Sequence, residues 1–167
     1  IKIKYKMNEL IEYKNFCKAL AQASAEVIKK YFRTGISVES KLDDSPVTIA
    51  DRKAEEVMRE LIMKQFPDDG IIGEEYGNIN EDAEFTWILD PIDGTKSFIC
   101  GAYSFGTLIG LLKNGVPILG VYNHPIFNDF LIGDNQETRI NGTKTTVRNC
   151  SELNKAVLLT TDHLNIE

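Results

Sequence analysis

Residues 87–98, WILDPIDGTKSF, carry three apolar residues directly into an acid, Asp90, and a second acid, Asp93, follows shortly before a glycine. The apolar residues predict a buried strand that ends at Asp90. Gly94 frees the backbone to turn, so Asp93 can swing back towards Asp90, and Thr95 would then begin a helix. The stretch therefore predicts a strand, a turn and a helix start, with two carboxylates brought together at the turn.

Carboxylates gathered in this way repel one another unless a positive charge lies among them. Asp90 and Asp93, together with the upstream pair Glu74 and Glu75, supply hard oxygen ligands that suit Mg²⁺, Mn²⁺ or Ca²⁺ rather than zinc. Between the two aspartates, Ile92 can offer only its carbonyl. Backbone N–H groups at a helix start bind anions, so a metal beside such a start would form a phosphate site.

Each of these residues also has an ordinary structural interpretation. Asp-Gly is a common turn, and Asp-Gly-Thr can be no more than a helix cap. Glu74 and Glu75 suit a solvated loop. The segment from Thr48 to Asp51 fits a capping box with Asp in place of the usual Glu, and on these residues alone the cap is the favoured interpretation of Asp51. The spacing of the acids leaves both interpretations open.

Two helices are predicted in the first part of the chain. Residues 8–32 place apolar side chains at helical spacing, and Gly35 ends this helix. A second helix begins at Thr48 and stops at residues 66–70, FPDDG. The alternating residues 36–42 between the two helices predict a strand. The helical spacing is carried by Leu10, Tyr13, Phe16, Cys17, Leu20, Ala23, Val27, Ile28 and Tyr31, and in the second helix by Ala50, Ala54, Val57, Met58, Leu61 and Ile62.

The remainder of the chain is predicted to form short strands. Two Asn-Gly pairs, at residues 114–115 and 141–142, are typical of tight hairpin turns. We therefore expect an α+β fold with a mostly antiparallel sheet and two long N-terminal helices. The predicted strands, some running into turns, are residues 70–77, 85–89, 105–112, 116–122, 129–133, 139–147 and 156–161.

Composition excludes several classes of function. The chain has 167 residues, which suits one domain, and a net charge of −6, which argues against a nucleic-acid-binding or polybasic membrane-surface protein. Three widely spaced cysteines argue against a complete set of disulfides and indicate a reducing compartment. With no apolar run of 18 residues, the sequence predicts a cytoplasmic protein that contacts neither membranes nor nucleic acid.

The motif at residues 90–95, DPIDGT, with Phe98 after it and Gly73-Glu74-Glu75 before it, resembles the inositol monophosphatase superfamily of metal-dependent, lithium-sensitive phosphomonoesterases. The Thr48–Asp51 segment is similar to the family's upstream threonine-aspartate segment, and the match runs in order over residues 10–161. Residues 96–110, KSFICGAYSFGTLIG, are similar to the histidinol-phosphatase-like branch. The resemblance therefore favours histidinol phosphate over inositol 1-phosphate or another sugar phosphate as the substrate.

The resemblance also implies roles for particular residues. Glu74, Asp90 and the Ile92 carbonyl would hold one Mg²⁺, and Asp90 with Asp93 would hold a second, with Mn²⁺ as a possible substitute. The remaining implied roles are catalysis by Asp51, Glu74 and Thr95, phosphate binding by the N–H groups of Gly94 and Thr95, and a third metal at Glu75.

The resemblance implies further that the chain is incomplete. The family's second motif contains a Trp-Asp pair and lies in a C-terminal α/β domain, but no tryptophan follows Trp87. We therefore expect residues 1–167 to be the N-terminal domain of a layered α/β sugar phosphatase, with the C-terminal domain missing, and to expose apolar surface where that domain would dock. The whole enzyme is expected to be a homodimer that acts on a small phosphorylated metabolite. The alternative from another class is a truncated, non-catalytic fragment that binds a metal or a partner.

Overall fold

Two long helices precede a meander of strands in the part of the chain that the structure, a computed structural model, describes: residues 7–35, 37–40 and 46–157. In chain order the elements are α1 (Met7–Tyr31), β1 (Val38–Ser40), β2 (Pro46–Thr48), α2 (Ile49–Gln65), β3 (Gly70–Gly73), β4 (Phe85–Asp93), α3 (Thr95–Ile99), β5 (Gly106–Lys113), β6 (Val116–His124), β7 (Asp129–Asp134), β8 (Thr138–Ile140) and β9 (Thr143–Thr145). A short 3₁₀ turn, Leu153–Lys155, follows.

The large sheet has seven strands in the order β3-β4-β5-β6-β7-β8-β9, and β1 pairs with β2 separately. β3 is parallel to β4, and every later pair is antiparallel. Asn114 and Gly115 both have positive φ, 50° and 75°, and so do Asn141 and Gly142, at 49° and 83°. This conformation matches the right-handed twist of the flanking strands, so both Asn-Gly pairs close tight hairpins as predicted.

One face of the sheet packs against α1 and α2. Trp87 of β4 is fully buried at the centre of this core, where its ring lies against Tyr13 and Phe16 of α1. Burial of large aromatic and aliphatic side chains is the main stabilising contribution to such a layer. The other buried members of this cluster are Cys17, Leu20, Ala21, Met58, Ile62, Ile71, Phe85, Leu89, Ile109, Leu111, Ile118, Leu119 and Val121.

The opposite face of the sheet retains apolar exposure. Ile88 and Leu108 point away from the helices and are 40% and 36% exposed. Gly110 and Gly120 pair in register beside Ile88, so backbone rather than side chains forms this part of the face. The described residues therefore present one packed face and one face with apolar side chains accessible to solvent.

A second, smaller core lies under the acidic motif. Ile28 of α1 and Ala50 and Ala54 of α2 pack there with Ile92, Phe98 and Phe105, all of them buried. The small alanines let α2 approach closely, and Ile92 points its side chain into this cluster. The segment that carries Asp90 and Asp93 is thus held from below by apolar packing.

The predicted fold class is confirmed, and several details differ. Strand β2 (Pro46–Thr48) was not predicted, and α2 begins at Ile49 with Thr48 as its cap. β4 does not end at residue 89 but continues through the acids to Asp93, because a bulge keeps it paired with β5. Of the predicted strand at residues 156–161, Ala156 and Val157 are not in a strand, and the remainder lies outside the described residues, as do residues 36 and 41–45. Among the described helices, none has the length and apolar character to span a membrane.

Candidate active site

The two aspartates of the motif lie on either side of a β-bulge. Asp90 pairs with Leu108 and Asp93 pairs with Gly106, so β4 advances three residues while β5 advances two. The extra residue re-aims the backbone, which is a common use of bulges next to active sites. The Ile92 side chain is 1% exposed in the small core, and its carbonyl accepts a hydrogen bond from Thr95 Oγ1 at 3.1 Å.

A buried hydroxyl pair supports the bulge from the side of α1. Thr107 Oγ1 donates to the Pro91 carbonyl at 2.9 Å. Because the single Thr107 hydrogen is used there, the 3.1 Å contact with Ser24 Oγ must have Ser24 as donor. Both hydroxyl side chains are fully buried. Helix α1 is therefore linked through two hydrogen bonds to the backbone between the two aspartates.

Glu74 is brought to Asp90 by the parallel pairing of β3 and β4. Gly73 pairs with Leu89, and the Glu74 N–H donates to the Leu89 carbonyl at 3.1 Å. Parallel strands end at the same edge of a sheet, so the residues that follow both strands meet there. The Glu74 and Asp90 carboxyl groups share a hydrogen bond.

The carboxylates around Asp90 disfavour its ionised form. Burial, and after it the neighbouring Glu74, Asp93 and Asp51, raises the pKa of Asp90 to about 8. Asp90 Oδ1 is also a buried oxygen with no hydrogen-bond partner among the described residues. A buried acceptor left without a partner is uncommon and is a reason to look for an ion or water. Both observations indicate a site that favours added positive charge.

Asp51 caps α2 and also faces the acidic motif. Its Oδ2 accepts from the Thr48 N–H at 2.8 Å and from Thr48 Oγ1 at 2.5 Å, which closes the predicted capping box of α2. Its Oδ1 lies 3.5 Å from Thr95 Oγ1. One carboxylate oxygen thus fixes the helix start, and the other faces the acidic motif.

Gly94 is required by the turn that separates Asp93 from helix α3. Its φ is +88°, a conformation that side chains rarely adopt, and an added Cβ would lie 2.6 Å from the Ser104 carbonyl oxygen. The close approach of Ser104 and Phe105 therefore leaves no room for a side chain. The predicted helix begins at Thr95 as expected, although it is only one turn long.

Several residues that shape this centre were not found from the sequence. Ser24 looks like an ordinary helix residue and Thr107 like an ordinary strand residue. Tyr122 covers Gly106, where a Cβ would meet its ring at 2.2 Å, and burial, with Asp93 and Asp129 contributing, raises its pKa. Glu55 and Arg59 could have been noticed, because they are charged residues at helical spacing from the buried Asp51.

The donor set fits a hard divalent cation. The groups that surround Asp90 are oxygen donors, and the orphaned Asp90 oxygen offers a ligand. In the described ranges, no three His, Cys, Asp or Glu side chains already stand in an arrangement that could hold a metal ion. Glu74 and Asp93 are exposed at this edge, so their carboxylates can turn, and the Ile92 carbonyl adds a donor that side chains do not supply.

Comparison with known protein families gives a match that includes the residues of this site. The inositol monophosphatase family matches residues 9–165, which is most of the chain. The chain belongs to the inositol monophosphatase family. Family members with solved structures share its fold: an inositol monophosphatase from Zymomonas mobilis is 40% identical, with a TM-score of 0.71 over 88% of this chain and 56% of that one. One from Thermotoga maritima is 30% identical, with a TM-score of 0.77 over 82% of this chain and 54% of that one.

Two curated relatives of this chain are named as phosphatases. The bifunctional phosphatase IMPL2 of Arabidopsis thaliana, described as chloroplastic, is 51% identical over 86% of this chain and 42% of its own length. The histidinol-phosphatase of Chlorobaculum parvum is 45% identical over 66% of this chain and 43% of its own length. This chain therefore spans about half the length of the curated relatives it matches. The compartment predicted from the cysteines stays a prediction.

Proposed function

We propose that this chain carries the metal centre of a Mg²⁺-dependent phosphomonoesterase and that the whole protein hydrolyses histidinol phosphate. The observation that carries the proposal is the convergence of Glu74, Asp93 and Asp51 on Asp90, whose Oδ1 is buried without a partner in the described structure. A proton or a metal ion can relieve that convergence, and family membership favours the metal ion.

The ligands are assigned from the positions that match the family's motif. Glu74, Asp90 and the Ile92 carbonyl would hold one Mg²⁺, Asp90 and Asp93 would hold a second, and Glu75 would contribute to a third, with Mn²⁺ able to substitute. Bound there, the ions would neutralise the acids, polarise the phosphate ester and make a nearby water easier to ionise. Oxygen-only donors of this kind suit Mg²⁺, which retains several waters and so tolerates an open site.

Thr95 and Asp51 are assigned to the attacking water. Thr95 Oγ1 donates its single hydrogen to the Ile92 carbonyl at 3.1 Å, and in this proposal that hydrogen would turn to Asp51 Oδ1, 3.5 Å away. A water that donates to Thr95 Oγ1 would then lose its proton to Thr95 as the Thr95 proton moves to Asp51. The water oxygen would then form the new bond to phosphorus as the ester bond breaks, and the departing alkoxide would take a proton from a solvent water. Glu74 is included among the catalytic residues because its carboxyl group lies against Asp90, where it would help to hold the ion beside the substrate.

Gly94 and Thr95 are assigned to the phosphate group. They lie at the start of α3, directly after Asp93, where backbone N–H groups can point at phosphate oxygens. Because Gly94 has no side chain, a phosphate could approach the backbone closely. The phosphate would then lie next to the proposed metal ligands.

The identity of the substrate rests on the relatives. Two histidinol-phosphatases, from Chlorobaculum parvum and Mycobacterium tuberculosis, are 45% and 40% identical to this chain. Inositol monophosphatases from Mesembryanthemum crystallinum and Solanum lycopersicum are 35% and 33% identical. We therefore propose histidinol phosphate as the preferred substrate, with inositol 1-phosphate as the alternative.

We also propose that these residues are the N-terminal part of a larger layered phosphatase that forms a homodimer. The chain covers 42–58% of the relatives named above and of an Aquifex aeolicus relative. The half-exposed Ile88 and Leu108 leave an apolar sheet face available for another layer. In this proposal the contacts to the leaving group come from the further segment, and the chain alone would act as a metal-binding fragment.

The test uses the longest natural form of the protein and measures phosphate release with Mg²⁺ from histidinol phosphate, inositol 1-phosphate and fructose 1,6-bisphosphate. We expect the highest kcat/KM with histidinol phosphate. Thr95→Val should lower kcat by roughly 10²- to 10⁴-fold, the range typical of lost proton-transfer catalysis. Thr95→Ser keeps the hydroxyl and should retain most of the rate. Equal rates for the Val and Ser variants would contradict the assigned role of Thr95, and no Mg²⁺-dependent release from any of the three esters would contradict the proposed function.

A further inference from the structure

Beneath the turn that carries Glu74 lies a buried ion pair, Glu55 and Arg59 of α2. Arg59 Nε donates to Glu55 Oε1 at 2.7 Å, and the two side chains are 8% and 0% exposed. We infer that this pair is a positioning device that holds the Glu74 turn against Asp90 for metal binding. The inference rests on the proposed metal centre and deepens it.

The pair grips the backbone directly after Glu74. Glu55 Oε2 accepts from the Glu75 N–H at 2.7 Å, and Arg59 Nη2 donates to the Tyr76 carbonyl at 3.1 Å. Both carboxylate oxygens of Glu55 are therefore engaged, one by its partner and one by the turn. Two backbone groups in consecutive residues are fixed from the same side, so this part of the turn has little freedom to rotate.

Gly73 shows how closely the pair is fitted to the turn. A Cβ at residue 73 would lie 1.9 Å from Glu55 Oε1 and 2.6 Å from Arg59 Nη2. The ion pair thus occupies the space that a side chain would take immediately before Glu74. On the other side, the Glu74 N–H donates to Leu89 of β4, the strand that carries Asp90. Glu74 is held between the ion pair and the strand.

A gain in stability does not by itself explain why an ion pair is buried here. Removing two charges from water is costly, and apolar residues of similar volume often stabilise a protein as well or better. The pair also brings no net charge to a region already crowded with acids, so it can orient the turn without altering the charge that faces a cation. Residues that orient metal ligands typically change metal affinity 10- to 100-fold when they are substituted.

The test compares Mg²⁺ binding by calorimetry in the full chain for wild type, Glu55→Gln and Arg59→Lys, with the exchange rate of the Glu75 amide as a structural readout. Gln offers one acceptor where Glu offered two, and Lys cannot reach both Glu55 and Tyr76. We expect affinity to fall roughly tenfold or more in Glu55→Gln, less in Arg59→Lys, with faster exchange of the Glu75 amide in each. Glu56→Gln, in the exposed Lys53–Glu56 pair of the same helix, is the control and should change neither.

A double variant separates positioning from general stability. Glu55→Leu with Arg59→Met replaces the pair by apolar groups and should recover the free energy of unfolding, as apolar replacements of buried pairs commonly do. Our inference expects Mg²⁺ affinity to stay low in this stable variant. Recovery of wild-type affinity, or unchanged affinity in Glu55→Gln and Arg59→Lys, would overturn it. Failure of the wild type to bind Mg²⁺ would instead contradict the proposed function. The exchange rate of the Glu75 amide would still show whether Glu55 holds the turn.

Discussion

Asp69 is a partly buried carboxyl group that accepts hydrogen bonds from two aromatic side chains of the core. Its Oδ2 accepts from Trp87 Nε1 at 2.9 Å and from the Tyr13 hydroxyl at 3.3 Å. Burial raises the pKa of Asp69 to about 6, although these two hydrogen bonds act in the opposite direction. The carboxyl therefore holds its proton more tightly in the folded chain than in the unfolded one.

That difference predicts a pH dependence of stability. Between about pH 4 and pH 6 the folded state binds more protons, so the free energy of unfolding falls as pH rises through this window. Asp69→Asn keeps an acceptor for Trp87 and removes the charge. We expect it to remove the part of this fall that Asp69 causes, while the raised pKa of Asp90 still contributes its own part, and to stabilise the protein at pH 7 by about 1–2 kcal/mol after allowance for solvent screening. Urea unfolding at pH 4 and pH 7 measures it, with the exposed Asp82→Asn as control. A wild-type stability that rises through this window would contradict the argument.

Thr107 allows a second test at the residue scale. Thr107→Val keeps the shape of the side chain but leaves the buried Pro91 carbonyl without its donor. An unsatisfied buried acceptor costs about 1–3 kcal/mol, so the free energy of unfolding should fall by that amount. The exposed Thr143→Val should change it by less than about 0.5 kcal/mol. Equal effects of the two substitutions in denaturant unfolding would show that the hydroxyl does not support the bulge.

At the scale of elements, β4 and the turn after it determine where the acids lie. Periodicity predicted the helices and most strands because each buries one face against the sheet, and the Asn-Gly pairs predicted the hairpins because only such residues adopt their φ values readily. The bulge after Asp90 could not be predicted, since it depends on pairing with β5, a partner distant in sequence. The acids of the motif were predicted to meet, and they do lie around Asp90, whereas their metal and catalytic roles stay predictions.

The residues that hold the site in place were not predicted from the sequence, for a related reason. Ser24 and Thr107 act through tertiary contacts that no local sequence pattern indicates. Glu55 was hidden among the exposed charges of α2, although its helical spacing from Asp51 placed it on the buried face. Sequence patterns find groups that carry chemistry more readily than the groups that hold them in place.

Gly94 offers a test of the turn itself. Gly94→Ala must place a Cβ at positive φ and 2.6 Å from the Ser104 carbonyl oxygen. We expect a loss of about 1–3 kcal/mol in the free energy of unfolding, the usual cost of such a conformation. Gly120→Ala is the matched control, because its Cβ would meet no described atom within 4 Å. If both alanine variants unfolded at the same denaturant concentration, the turn would not require glycine.

For the molecule as a whole, the exposed apolar face of the sheet bears on whether residues 1–167 can act as an enzyme without a further segment. Ile88 and Leu108 leave apolar surface beside the acidic motif, and the chain spans about half the length of its curated relatives. A site open to solvent on the leaving-group side would position a phosphate ester poorly, because water screens charge and replaces directed contacts. Residues 1–167 alone are therefore expected to hydrolyse histidinol phosphate far more slowly than a longer form. Equal kcat values for the two forms would contradict the proposed second domain.

We propose above that the acids around Asp90 hold a divalent cation. Titration with Mn²⁺, followed by its electron paramagnetic resonance signal and by competition with Mg²⁺, tests it most directly. We expect wild type to bind Mn²⁺, Asp90→Asn to weaken binding at least tenfold, and the exposed Asp82→Asn to leave it unchanged. Mn²⁺ affinity that is the same in Asp90→Asn as in wild type, or absent in both, would show that these acids do not form a cation site.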